Sequence, residues 1–183
     1  MHKLLATLLA LVSGPVLASG IEITVAGEAK GVIAIDLYED IAPGHAERIT
    51  TLAAEGSYDG VAFHRVIDGF MAQTGDVKYG NIDEYGGRLV GTGQSDYSNL
   101  PAEFSDETFA RGTVGMARSS QLDSANSQFF IMFAPGDFLD GQYTIVGKVT
   151  SGLEVLDAIK RGNSRSGSIT GAPDFMKSVT VTD

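Results

Sequence analysis

The sequence predicts a mainly β domain, an antiparallel sheet closed into a barrel and accompanied by two helices. Three observations predict it. Seven or eight short runs alternate apolar and polar residues or are rich in β-branched ones, as strands require. Only two stretches place apolar residues at helical spacing. Glycine is abundant at 23 residues and proline scarce at 5, which favours a turn-rich sheet over a bundle.

Residues 21–25 and 32–37 alternate cleanly, and the turn-like stretch from Gly27 to Gly31 between them makes a hairpin. Pro43 then stands where a helix begins. Ala46, Ile49, Leu52 and Ala53 continue at helical spacing to Gly56, which predicts a helix over 43–55. Residues 61–67 and 70–74 are strand-like and separated by Asp68-Gly69. From Lys78 to Arg111 the chain turns polar and glycine-rich. A loop of that length is either functional or hides short elements. Three further strands are predicted at 112–117, 127–133 and 143–149. Ser151-Gly152-Leu153-Glu154 has the pattern of a capping box, followed by the apolar stripe Leu153, Leu156 and Ile159 and a stop at Gly162. A last strand spans 176–181. Strands paired by turns form an antiparallel sheet, and closing it hides the edges.

The first residues predict a compartment. Met1-His2-Lys3 is a short basic start, residues 4–12 are apolar apart from Thr7, and Val16-Leu17-Ala18 fits a cleavage site. Residues 1–18 therefore read as a secretory signal peptide and 19–183 as one mature domain. The apolar run is shorter than the roughly 20 residues a bilayer span needs. The expected location is the periplasm, or simple secretion in a cell with one membrane. The formal charge of −10 argues against nucleic acid and against stable contact with anionic lipid. With no cysteine, the chain has no disulfide, thiolate nucleophile or thiolate zinc site.

Residues 63–76, Phe-His-Arg-Val-Ile-Asp-Gly-Phe-Met-Ala-Gln-Thr-Gly-Asp, resemble the signature segment of the cyclophilins. Residues 112–118, 127–131, 138–141 and 146–149 resemble further blocks of that family, in the same order and spacing. The resemblance spans 21–183. It implies a closed eight-stranded antiparallel β-barrel capped by two α-helices, with the active groove on the barrel's outside. It also implies a peptidyl-prolyl cis/trans isomerase acting on proline-containing peptides. With the signal peptide, the expected partners are unfolded or partly folded exported proteins, and monomer is the default expectation.

Isomerisation rotates an amide and makes or breaks no covalent bond, so it calls for no metal or cofactor. It calls for a donor to the nitrogen lone pair that appears as the amide twists. By resemblance, Arg65 is that donor; its guanidinium stays protonated and presents several N–H groups in one plane. Phe70, Met71, Phe130 and Leu139 match positions lining the proline pocket, with Phe138 at its rim. Phe129 alternates with Phe130 and should face the barrel interior. Gln73 and Gln128 match polar positions that hold Arg65 and a substrate carbonyl. The Arg118 main chain, flanked by Ala117 and Ser119, matches the stretch that pairs with the peptide. His64 matches a supporting groove position.

The sequence also departs from the family pattern. Asp68 stands where proline is common and Thr74 where glycine is, while Tyr143 replaces a histidine in the groove. Phe138 replaces the tryptophan of many eukaryotic members. A phenyl ring lacks the indole N–H, so cyclosporin binding should be weak. Glu47-Arg48-Ile49 lacks the Asn-Phe pair often seen in that helix.

A serine hydrolase is disfavoured by the lack of a Gly-x-Ser-x-Gly elbow. A metalloenzyme is disfavoured by having only His45 and His64 beyond the signal segment. His45, near Glu47, reads as part of a solvated helix face, and the acidic stretches 83–84 and 103–107 as surface. A peptide-binding module without turnover would share the groove but need not keep the Arg65 donor.

Overall fold

A computed structural model describes residues 19–183; the predicted signal peptide, residues 1–18, lies outside the described residues. The elements are β1 (Gly20–Ala26), β2 (Gly31–Leu37), α1 (Pro43–Ala54), β3 (Val61–Ala62), β4 (Arg65–Ile67), β5 (Met71–Thr74), β6 (Thr113–Met116), β7 (Phe129–Met132), β8 (Ile145–Ser151), α2 (Leu153–Ala158) and β9 (Phe175–Thr182). The hydrogen-bonded order is β3-β9-β1-β2-β8-β6-β7-β5-β4, with every pairing antiparallel. The fold is mainly β with two helices, as predicted.

Among the described residues the strand count is nine rather than eight, because the predicted strand 61–67 is broken. Ala62 donates its N–H to Gly80 and Phe63 donates to Asp174, which takes the chain out of one ladder before it enters the next. The halves, β3 and β4, stand at opposite ends of the strand order and are joined through Phe63-His64. The curled sheet is thus closed by the chain itself rather than by a continuous ladder.

Alternation decides the inside. Ile21, Ile23 and Val25 of β1 and Ile33, Ile35 and Leu37 of β2 point inward in register, Ile21 opposite Ile35 and Ile23 opposite Ile33. Helix α1 covers this core with Ala46, Ile49, Leu52 and Ala53, as its spacing predicts. A second, smaller apolar cluster lies on the opposite face of the sheet: Met71, Phe109, Phe130, Met132, Leu139 and Ile145. The candidate site is built on it.

Two expectations need correction. His45 is not on a solvated face; it is 0% exposed. Its Nδ1 lies 2.6 Å from Glu103, whose carboxylate also accepts the N–H groups of Gly44 (3.1 Å) and His45 (3.2 Å). Ala42, before α1, has no side-chain oxygen to cap the helix, so a carboxylate from the long loop does so. The capping box before α2 is also absent. Ser151 closes β8, and Gly152, at φ +88°, turns directly into the helix with no side-chain cap. A Cβ on Gly152 would lie 2.1 Å from the Val32 carbonyl oxygen. The helix ends at Ala158, before Gly162, because Asp174 takes the Lys160 N–H and Val66 takes that of Gly162.

Burial alone would raise the Glu103 pKa, but hydrogen bonds from His45 and Gly44 outweigh it and hold the carboxyl below its usual range. A depressed folded pKa means the carboxylate stabilises the fold above the unfolded value of about 4.3, and that this is lost as pH falls through the folded value. Glu103→Ala should cost about 1–2 kcal/mol at neutral pH. A melt should register this as a fall in Tm of about 2–8 °C, and the gap between variant and parent should close in acid.

Candidate active site

Strands β4 and β5 face each other across the Asp68-Gly69 turn, with Arg65 opposite Gln73 and Ile67 opposite Met71. The next strand places Phe130 opposite Gln73, and the one after places Gly115 opposite Phe130. One row across the outer face therefore reads Arg65, Gln73, Phe130, Gly115. Phe129 points the other way, into the main core, as alternation predicts, where it meets the edge of Tyr58. Gly115 is required in that row: a Cβ there would lie 2.6 Å from both Phe109 and Phe130. Without one, those two rings stack at 5.7 Å.

The row borders a cleft of about 370 Å³ lined by Arg65, Phe70, Met71, Gln73, Ala117, Arg118, Phe130, Phe138, Leu139 and Tyr143. Met71, Phe130 and Leu139 form its buried floor. Phe138 is 69% exposed and leans on Phe70 at 5.6 Å, a rim rather than a wall. Tyr143 meets Phe130 edge-on. A smaller polar cleft of about 230 Å³ adjoins it and shares Gln73, Ala117 and Arg118; Ser119 and Gln128 line that second cleft.

Arg65 donates from Nε to the Ser166 carbonyl (3.2 Å) and from Nη1 to Gln73 Oε1 (3.1 Å). None of the ion pairs among the described residues involves it. Burial lowers its pKa, partly offset by nearby Tyr143, yet a guanidinium stays charged at any ordinary pH. Gly167, at φ +76°, lets the chain pass close beside Arg65: a Cβ there would lie 2.8 Å from Arg65 Cγ.

Behind Arg65 runs a chain of hydrogen bonds. Gln73 Nε2 donates to Gln128 Oε1 (2.9 Å), and Gln128 Nε2 donates to the carbonyls of Gly91 (3.2 Å) and Gly93 (2.7 Å). Both Gln128 hydrogens are thereby engaged inside the protein, so this residue anchors Gln73 instead of offering a free donor. The Gly91-Thr92-Gly93 segment is held in turn by the buried Asp76. Its carboxylate accepts from the N–H groups of Gly91 (2.7 Å), Gly93 (3.1 Å), Tyr79 (2.8 Å) and Lys78 (3.2 Å).

His64 is set apart from both clefts. It is buried beneath Gly91, and neither ring nitrogen has a hydrogen-bond partner among the described residues. Burial pushes its pKa down, against the raising influence of Asp76, and so keeps the ring neutral. Every other expected site residue borders one cleft or both. Sequence reasoning missed Asp76, Phe109, Ser166 and Gly167 as parts of the site.

The family model for "Cyclophilin type peptidyl-prolyl cis-trans isomerase/CLD" matches residues 21–181. The chain belongs to the cyclophilin family. This cyclophilin is 57% identical over 152 residues to a probable peptidyl-prolyl cis-trans isomerase of Brucella suis, covering 82% of this chain and 78% of the relative. It is 40% identical over 137 residues to a peptidyl-prolyl cis-trans isomerase of Helicobacter pylori, covering 73% and 77%. A crystal structure of a Cryptosporidium parvum cyclophilin-type isomerase solved in the presence of the dipeptide Ala-Pro superposes with a TM-score of 0.75. The two are 25% identical, over 90% of this chain and 99% of that one. The cyclophilin is accordingly an enzyme, a peptidyl-prolyl cis-trans isomerase.

Proposed function

We propose that this cyclophilin isomerises X-Pro bonds by donating a hydrogen bond from Arg65 to the prolyl nitrogen of the twisted amide, while the ring sits on Met71, Phe130 and Leu139. The single observation that carries this reading is the state of Arg65: charged, without a carboxylate partner among the described residues, and at the wall of an apolar cleft. An ion pair would have spent its donors. Here Nε is held by Ser166 and Nη1 by Gln73 and, at 3.8 Å, by the Met71 sulfur, which leaves the Nη2 N–H groups among the five a guanidinium has.

Twisting the amide costs about 18–20 kcal/mol because C–N resonance is lost. The uncatalysed change takes on the order of 10–100 s. Reaching about 1 to 10³ turnovers per second needs a barrier lower by roughly 3–7 kcal/mol. A planar amide nitrogen offers no lone pair and a twisted one does, so a donor fixed at that point favours the transition state over both ground states. The apolar floor excludes water that would compete for the donor. The Arg118 N–H and carbonyl take part in no main-chain hydrogen bond among the described residues, which leaves them for a substrate backbone.

No step moves a proton. With Arg65 charged throughout and His64 held neutral, kcat/KM should be flat between about pH 6.5 and 8.5. Isomerisation of a proline tetrapeptide by residues 19–183, followed across that range, is the test. No acceleration would overturn the isomerase reading, and a bell-shaped profile would overturn the role of Arg65 as a purely electrostatic donor. In the same assay, cyclosporin should inhibit only weakly.

The crystal structure of the Cryptosporidium parvum relative in the presence of a dipeptide ending in proline supports proline-containing peptides as substrates. The pattern of residues 1–18 supports export to the periplasm and a role in folding exported proteins. The mass of the chain recovered from that compartment reads this directly: a mature protein beginning at Ser19 is expected, and an uncleaved cytosolic chain would refute it.

A further inference from the structure

The protein is strongly acidic, with a net charge of −10, yet among the described residues no carboxylate lines either of the two adjoining clefts. The charges that do line them are both guanidinium groups, Arg65 and Arg118. Arg118 lies where the clefts meet. Its Nε and Nη2 donate to the Gln142 carbonyl at 3.1 and 2.9 Å, and Nη1 donates to the Ser119 carbonyl at 2.9 Å. Its guanidinium carbon lies 4.5 Å from the centre of the Tyr143 ring. These contacts are all with uncharged groups, and none of the ion pairs among the described residues includes Arg118. The planar fork is thus held in one place by neutral partners while its charge stays uncompensated. An exposed, freely moving arginine would have no such fixed field.

We infer that Arg118 sets substrate preference, so that peptides with a carboxylate close to the proline are turned over faster than peptides with an ammonium group there. The inference rests on the isomerase reading above. A substrate backbone paired with the Arg118 main chain puts its own side chain beside that of Arg118, since directly opposed residues have Cβ atoms about 4.5–5.5 Å apart. The acidic remainder of the surface opposes anionic substrates at long range. At physiological salt that opposition is screened within about 8 Å, so the nearest charge decides. An ion pair at a part-exposed site of this kind corresponds to a preference of about 3–10-fold between Glu and Lys peptides.

The test measures kcat/KM for peptides carrying Glu, Gln or Lys at each of the two positions on either side of proline, at about 0.15 M salt. NMR exchange reads the rate without a coupling protease, whose own sequence preference would intrude. A Glu-to-Lys ratio of about 3–10 is expected for at least one position, falling towards one in 1 M salt, where screening acts within about 3 Å. Arg118→Gln should bring the ratio near one, and Arg118→Glu should invert it. Each ratio is taken within one protein, so a general loss of rate in a variant cancels. Equal rates for Glu and Lys at every position, or a preference that survives Arg118→Gln, would overturn the inference. Turnover of the Gln peptide separates that failure from a failure of the isomerase reading, because only the latter abolishes it.

Discussion

Arg65→Ala is expected to lower kcat/KM for a proline tetrapeptide by about 10²–10³-fold while leaving the fold intact, the loss typical of removing one preorganised donor to a transition state. That factor corresponds to about 2.7–4 kcal/mol, a large part of the roughly 3–7 kcal/mol that catalysis must supply. The remainder comes from the dry pocket and from holding the peptide, so the variant should retain measurable activity. Stability should change little, because Arg65 is only half-buried and its hydrogen bonds run to Ser166 and Gln73 rather than to a buried charge. A protease-coupled assay beside a thermal melt separates the two effects. Arg65→Lys should fare little better. An ammonium keeps the charge but cannot reproduce the planar fork that grips Gln73 and Ser166 while pointing further N–H groups at the cleft.

Asp76→Asn is expected to be the most damaging change away from the cleft. Both carboxylate oxygens accept two main-chain N–H groups each, with no water-facing side to relax toward. An amide turns one of those oxygens into a donor and opposes donor to donor. Breaking a buried network of this kind costs about 3–5 kcal/mol. The loss should extend to catalysis even at temperatures where the variant is folded. Once Gly91 and Gly93 are released, their carbonyls no longer fix Gln128, Gln128 no longer fixes Gln73, and the fork of Arg65 loses its seat. In this account Asp76 is a positioning residue, and its signature is a fall in kcat larger than any change in KM. A fall in stability with kcat unchanged would confine it to a structural role.

Much of the site is legible in the sequence because it is made by local rules. A tight turn at Asp68-Gly69 puts Arg65 opposite Gln73, and strict alternation sends Phe129 inward and Phe130 outward. What stayed hidden depends on contacts far apart in the chain. His45 is two residues from the polar Glu47 in sequence, and nothing local shows that Glu103, 58 residues on, covers it. Asp76 sits inside the signature segment, yet its task is set by glycines 15 and 17 residues away. The break in the strand at Phe63-His64 has the same origin. Residues 61–67 read locally as one strand-like run, and only the Gly80 and Asp174 carbonyls, arriving from distant loops, show where its ladder changes. His64 is hidden for a related reason: it lies in that break, before β4 begins, and is buried beneath Gly91, a distant part of the chain, rather than facing the groove beside Arg65.

The most direct test of the Arg65 mechanism is the rate of cis/trans exchange of a proline peptide while bound, measured by NMR line shapes at saturating protein for the parent and for Arg65→Ala. A donor that acts only on the twisted amide predicts peptide affinity within a few-fold of the parent and an on-enzyme exchange rate slower by about 10²–10³-fold. An unchanged exchange rate with weakened affinity would show that Arg65 merely holds the peptide, and would contradict the mechanism.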